Sequence, residues 1–530
     1  MTNQISAGYK AALKGLGVAV LCFAAPWLSG MSPPTASCYV SEQGTGDRTG
    51  TTPDNSLPWE SGQGVETCLD RAVAGTTIYV SPGEYTIAER IRWTKSGAPG
   101  QPIRLIGAGD RAIEGTFGLS VLAARGQWPT VRGTRPQTYS TDTVSYGSDF
   151  IQLAEGVSHI EISNFNLFDF RKVIEADATR NQDVAIANLY VENIRHLLSI
   201  TAGCEETACT ADTSADWRGE NLYVLGVSKR VLKAEGLRNS TFKDIYADVK
   251  DSNGQMHWDD WPLLFHFTGP SEQILVERTI VKNPVQHTDK PYDNGDCYTA
   301  EKHTANLTFR SALCFEAFDA AFDLKGGPHL VEDAIALKIG NRAFRVWDGP
   351  VTIKNSLAAY DGYGEYTQSA AGSNAAIWVR GEAIVEGFTS LNSTRPFILD
   401  GQNGQCGLLS LSDSLIVLDT QSSTQGGTQG GTQGEGDRTL QPQTECSSSP
   451  PIGASVIETN VQYRSEAIST QSTLFNSLLQ LSRANHWAAS LLNRLLNRQP
   501  IGFVWPNSWP AELATDLSID LATDLAIDEP

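Results

Sequence analysis

The chain has 530 residues, with 60 Asp and Glu against 40 Lys and Arg, a formal net charge of −20 and a sequence pI near 4.8. This balance excludes nucleic-acid binding, which rests on neutralising phosphates with Lys and Arg. The length suits two or three average domains, or one long repeat body.

Lys10 and Lys14 precede an uninterrupted run, Gly15–Leu28, and then a small, Pro-rich stretch. This is the outline of a signal peptide over residues 1–37, with cleavage near Ala36 or Ser37; a retained anchor is the alternative. Export would place the protein in the periplasm, at the cell surface or outside the cell. Of the nine cysteines, Cys22 lies in this leader, and the other eight fall into neighbouring couples: Cys38 with Cys68, Cys204 with Cys209, Cys297 with Cys314 and Cys406 with Cys446. An even number in an exported chain suggests disulfides between these neighbours. Val65, Cys68, Leu69, Ala72 and Val73 share one helical face, and a short helix there would cap the open end of a solenoid. ThrIleTyrVal (77–80) and ProIleArgLeuIleGlyAlaGly (102–109) read as strands on either side of a turn.

CysTyrValSerGluGlnGlyThrGly (38–46), the helix, and the stretches at 75–85 and 94–107 together resemble the opening of the pectate-lyase-like right-handed β-helix superfamily. The resemblance implies an all-β fold, a right-handed parallel β-helix, and a carbohydrate-active role. Repeats in this chain point to the same fold. AspAlaAlaPheAspLeuLys (319–325), AsnArgAlaPheArgValTrp (341–347) and AsnAlaAlaIleTrpValArg (374–380) share one template, which AspCysTyrThrAlaGluLys (296–302) also fits. Each begins with Asp or Asn and then alternates apolar and polar residues, the period of a strand. About ten such coils account for the body, with the β-helix over 38–420. Residues 110–148 fit the template poorly, and the coils at 202–220, 250–262 and 284–296 carry insertions. Residues 421–451, rich in Gly, Gln, Thr and Ser, read as a linker or loop, 452–513 as a small amphipathic helical segment, and 514–530 as an acidic tail.

Strand alternation turns Phe322, Leu324, Phe344, Val346, Ile377 and Val379 inward, and Asp323, Lys325, Arg345, Trp347, Trp378 and Arg380 outward. Glu301, Lys302, His266 and Asp400 extend the same columns. A face with Lys, Arg and Trp suits an acidic polysaccharide, because Trp offers a flat surface to a sugar ring and Arg forks onto a carboxylate. It equally suits an ordinary polar sheet face in which Asp323 pairs with Lys325 or Arg345. The loop HisTrpAspAspTrp (257–261) is either a sugar platform or packing.

The resemblance implies β-elimination, in which a Lys removes the proton α to a uronate carboxylate while Ca²⁺ or Arg neutralises that carboxylate. Phe322 and Lys325 keep the family's Phe-to-Lys spacing, so Lys325 takes the base role and Arg345 the neutralising one. The family's metal-binding Asp falls on Ala320, and the acidic pair of the next coil on Asn341 and Arg342. Asp289, Asp293 and Asp296 could instead supply oxygen ligands to Ca²⁺. The column Asp296, Asp319, Asn341, Asn374 reads as structural, its side chains satisfying backbone N–H groups at stacked turns. A base at Lys325 requires a depressed pKa; Arg345 and Arg380 favour that and Asp323 opposes it. The expectation is a monomeric, exported polysaccharide lyase. The alternative is a non-catalytic envelope protein that holds glycan on the same face.

Overall fold

The computed structural model describes residues 36–109, 121–122, 125–136, 145–176, 180–202, 213–286, 294–359, 374–391, 393, 395–402, 405–419, 443–444 and 455–466. The leader, Asp289, Asp293, the low-complexity run, the expected C-terminal helices and the acidic tail lie outside them. Within the compact unit that begins at Ala36, the described chain forms a parallel β-helix.

A coil contributes up to three strand stretches, and each pairs in parallel with its counterpart in the next coil. The run Ser158–Ala176 shows the design, since it bends through all three ladders without a break. Its first part pairs Ile162 with Ile186, its second Leu167 with Val191, and its third Ile174 with Leu198. The bends fall on residues that tolerate a left-handed backbone. Asn164, Asn188 and Asn221 turn the chain between the first and second ladders at φ 66°, 56° and 54°. Their amides bond up the stack, Asn188 Nδ2 to Asn164 Oδ1 at 3.0 Å and Asn221 Nδ2 to Asn188 Oδ1 at 3.2 Å. Asp169 and Asn193 form the equivalent corner before the third ladder, joined at 2.8 Å. Asn and Asp suit these positions because a short polar side chain offsets the steric cost of the left-handed region with a local hydrogen bond.

The interior is apolar and stacked in register. Phe265, Tyr298, Phe322 and Phe344 pile up with centroid separations of 5.4, 4.8 and 5.1 Å, all fully buried. Tyr298 brings a hydroxyl into this core, and it is satisfied at 2.8 Å by Thr279 Oγ1 and at 3.1 Å by the Leu313 carbonyl. Phe322, Leu324, Phe344, Val346, Ile377 and Val379 face inward as alternation requires.

Helix α1, Gln63–Arg71, closes the N-terminal end by burying Val65, Cys68 and Leu69, and the Cys38–Cys68 disulfide ties it to the first strand. It stops two residues short of the expected end, leaving Val73 61 % exposed. A second disulfide joins Cys297 to Cys314. Of the four couples expected to be bonded, these two are therefore present. The bond expected between Cys204 and Cys209 falls outside the described residues, because both Cys204 and Cys209 do. The side chains of Cys406 and Cys446 lie outside them as well.

Within the poorly fitting 110–148 stretch, Thr130–Arg132 is a second-ladder strand paired with Glu84–Thr86 and Asn166–Phe168. The β-helix also continues past the boundary expected at 420. Ser455–Thr459 pairs with Leu408–Ser412, and Gln462–Glu466 with Leu415–Asp419, so solenoid strands stand on both sides of the low-complexity run in the sequence. Residues 455–466, read as the start of a helical segment, are therefore strands. Among the described residues no helix is long and apolar enough to cross a membrane.

Candidate functional site

The outward positions of the third ladder align as the repeats require. His266, Thr299, Asp323, Arg345, Trp378 and Ile398 occupy one column in register. Glu301, Lys325, Trp347, Arg380 and Asp400 lie one residue past the next paired position. The sequence thus locates the expected Lys and Arg on one face of adjacent coils. Their chemistry differs from the expectation.

Lys325 is fully engaged. Its Nζ lies 2.8 and 2.9 Å from the two oxygens of Glu301 and 3.0 Å from Asp323 Oδ2. Burial alone would lower its pKa, but Asp323 and Glu301 outweigh burial and raise it above the ordinary 10.5. An ammonium held this way opposes the proton loss that the base role expected of Lys325 requires. Arg345 is similarly committed, bonding Asp319 at 2.9 Å and lying 3.6 Å from Asp323.

The tryptophans are not open platforms. Trp347 donates its Nε1 to Asp323 at 2.6 Å, and the guanidiniums of Arg345 and Arg380 each sit 4.5 Å from its ring centroid. Trp378 is only 3 % exposed and packs with Ala375 and Ile398. Asp323, also expected to face solvent, is 4 % exposed. Adjacent coils stack these side chains so closely that they cover one another. Lys302 alone of this set stands exposed, in the turn beyond the strand.

Of the three carboxylates expected to hold Ca²⁺, only Asp296 is among the described residues, and its oxygens are already engaged. Asp296 Oδ1 accepts the Ala320 N–H at 2.9 Å and its Oδ2 accepts Thr299 Oγ1 at 3.3 Å. Asp319 takes Asn341 and Arg345, and Asp323 takes Trp347 and Lys325. Burial, then the charges of Asp319 and Asp323, push the Asp296 carboxyl well above the usual range, toward its protonated form and away from ligation. Among the described residues no group of three or more His, Cys, Asp or Glu is placed to hold a metal ion. The Asp296, Asp319 and Asn341 column is a hydrogen-bonded turn ladder.

Three coils earlier, the same ladder carries a cluster that sequence reasoning passed over. In SerLysArgValLeuLysAlaGlu (228–235) the strand brings Arg230 into register with His196 and Lys233 with His266. Arg230 Nε donates to His266 Nδ1 at 3.2 Å. Among the described residues the half-buried Arg230 guanidinium has no carboxylate within ion-pairing distance. Burial lowers its pKa to about 10, with Asp259 opposing and Arg195 assisting, so it stays charged.

Its cationic neighbours are paired: Lys172 with Glu175, Arg195 and Lys229 with Asp259 at 2.9 and 3.4 Å, and Lys233 with Glu235 at 3.7 Å. His196 is 6 % exposed and its Nδ1 has no hydrogen-bond partner. Burial, then Arg230, Arg195, Lys229 and Lys172, hold its pKa well below 6.5, so it is neutral. Lys229 shows the depression expected of Lys325: burial lowers its pKa, Asp259 opposes, and Arg230 and Arg195 lower it further. The available signal was the alternation of Lys229, Val231 and Lys233 in the coil immediately preceding His266.

Asp259 comes from the 250–262 insertion and is 3 % exposed, so the HisTrpAspAspTrp loop anchors this cluster.

No family model matches the chain, and neither does any curated protein. Among solved structures, a rhamnogalacturonan lyase is 13 % identical, covering 80 % of this chain and 87 % of that one at a TM-score of 0.37. The A-module of a mannuronan C-5 epimerase from Azotobacter vinelandii is 11 % identical, covering 76 % and 94 % at 0.42. A pectate lyase is 14 % identical, covering 68 % and 76 % at 0.33. The resemblance noted in the sequence, to the pectate-lyase-like β-helix superfamily, is one of fold, and the strand pairing of this chain carries it.

Proposed function

We propose that the protein is an exported, carbohydrate-active β-helix protein that cleaves an acidic polysaccharide by β-elimination on its third-ladder face, centred on Arg230. One observation supports this most: Arg230 is a half-buried cation with no carboxylate partner among the described residues, in a chain of net charge −20. A uronate carboxylate would fork onto that guanidinium, and the surrounding cations would stabilise the charge that develops as the α-proton leaves. Lys229, with its depressed pKa, would take that proton. The C–H electron pair becomes the new double bond, and the glycosidic oxygen on the β-carbon departs with its own bonding pair and a proton from solvent. No step is assigned to Ca²⁺.

The ion pair between Lys229 and Asp259 supports a second reading, a non-catalytic protein that holds acidic glycan at Arg230. Incubation with a panel of uronic-acid polymers separates the two. The lyase reading expects the ultraviolet absorbance of an unsaturated product from at least one polymer, lost in Lys229→Ala. Retention of a polymer without product, equal in both proteins, favours the binding reading; no retention and no product rejects both.

A further inference from the structure

We infer that Lys325 and Glu301 are positioning residues that fix the tautomer of His266 and, through it, the orientation of the Arg230 guanidinium; this rests on the reading of Arg230 as the carboxylate site. The chain of contacts crosses four adjacent coils. Lys325 Nζ holds both oxygens of Glu301 at 2.8 and 2.9 Å. Glu301 Oε1 lies 4.0 Å from His266 Nε2, and His266 Nδ1 accepts from Arg230 Nε at 3.2 Å. A guanidinium Nε is only ever a donor, so His266 Nδ1 must be bare. The proton of the neutral ring then sits on Nε2, facing the carboxylate. The opposite tautomer would set two N–H groups against each other and turn Arg230 away.

The groups facing His266 are Arg230, Lys233, Lys325 and Lys229 on the cationic side and Glu301 on the anionic side. Burial first, and then those cations, keep the ring neutral by lowering its pKa well below 6.5. Lys325 has two functions here: it prevents Glu301 from drawing a second proton onto the ring, and it holds that carboxylate in place. This explains why a lysine unsuited to proton abstraction lies on the same face as the cluster that can perform it.

The test uses the full chain labelled with ¹⁵N-histidine, for tautomer and titration by NMR, together with affinity for a galacturonate oligomer. In the wild type His266 should show a protonated Nε2 and a bare Nδ1. Lys325→Met, which leaves Glu301 uncompensated, should raise the His266 pKa. Glu301→Gln should not raise it, should mix the tautomers, and should weaken oligomer binding by about tenfold through loss of one oriented charged hydrogen bond. Circular dichroism of both variants checks that they fold. An Nδ1–H tautomer in the wild type, or an unchanged tautomer in Glu301→Gln and pKa in Lys325→Met, overturns the inference. Undiminished oligomer binding by Arg230→Met would instead reject the reading of Arg230, and the tautomer measurements would still decide the relay by themselves.

Discussion

Lys325 and Glu301 form a two-pronged ion pair between neighbouring coils, with the ammonium 2.8 and 2.9 Å from the two carboxylate oxygens. Asp323 completes the clasp at 3.0 Å. This arrangement changes what a mutation at the repeat's lysine should do. Lys325→Ala takes the nearest cation from Asp323, which is almost wholly buried and keeps Trp347 Nε1 at 2.6 Å and Arg345 at 3.6 Å, and should cost about 2 kcal/mol. A fully buried pair would cost about 3–5 kcal/mol, but Glu301 remains partly open to solvent. Urea denaturation against the wild type measures the loss. Product formation should fall by about tenfold, as expected for a positioning residue; a loss of several orders of magnitude would restore Lys325 as the base.

Arg230→Lys keeps the charge but removes the fork that suits a carboxylate. Affinity for a uronate oligomer should fall by about tenfold, and by about a hundredfold in Arg230→Met, the range for losing charged hydrogen bonds. Isothermal titration at two salt concentrations checks both values. Equal affinity in all three proteins would place the glycan elsewhere.

His196 should make the protein sensitive to acid. Its folded pKa lies well below 6.5, so the unfolded chain takes up a proton there that the folded chain refuses. Its contribution to stability is therefore complete above pH 6.5 and declines as the pH falls below it. The slope is up to about 1.4 kcal/mol per pH unit. His257, His266 and His329 shift in the same direction. Asp248, Asp296 and Asp319, raised from 3.8, act with the opposite sign at pH values above 3.8. Comparing the wild type with His196→Asn isolates one group: about one unit below pH 6.5 the variant's stability should fall less steeply, by nearly that slope. Parallel curves for the two proteins would mean that His196 takes up its proton equally in the folded and unfolded states, with no depressed pKa.

The two described disulfides should differ in accessibility. Cys297 and Cys314 are completely buried, whereas Cys38 keeps some exposure beside the N-terminal helix. Mild reductant on the folded protein should therefore open Cys38–Cys68 first, as read by differential alkylation. Chain-entropy arguments give each bond about 3–4 kcal/mol for separations of 30 and 17 residues. Free thiols at all four positions in the protein as purified would refute the pairing and remove the main support for export. The same alkylation map decides the expected bond between Cys204 and Cys209, which export would leave oxidised.

By itself, the sequence determined the repeat and therefore the fold. The alternation in 319–325, 341–347 and 374–380 leaves Phe322, Phe344 and Ile377 no place except a shared core, and a strand's two-residue period then puts Lys325, Arg345 and Trp378 on the outside. The turn column of Asp296, Asp319 and Asn341 and the pairing of neighbouring cysteines, Cys38 with Cys68 and Cys297 with Cys314, follow from equally local chemistry. Only the tertiary structure decided which outward charges remain available. Stacking places Glu301 and Asp323 against Lys325, and Asp259, from an insertion, against Arg195 and Lys229, while Arg230 receives an imidazole and no carboxylate among the described residues. Coulomb energies at about 3 Å and burial set the protonation of each group, and both depend on neighbours from other coils that a single strand's pattern does not contain. The end of the solenoid was hidden for a related reason. The low-complexity run separates Asp419 from Ser455 in sequence, and only their parallel pairing with earlier coils shows that the chain returns to the stack.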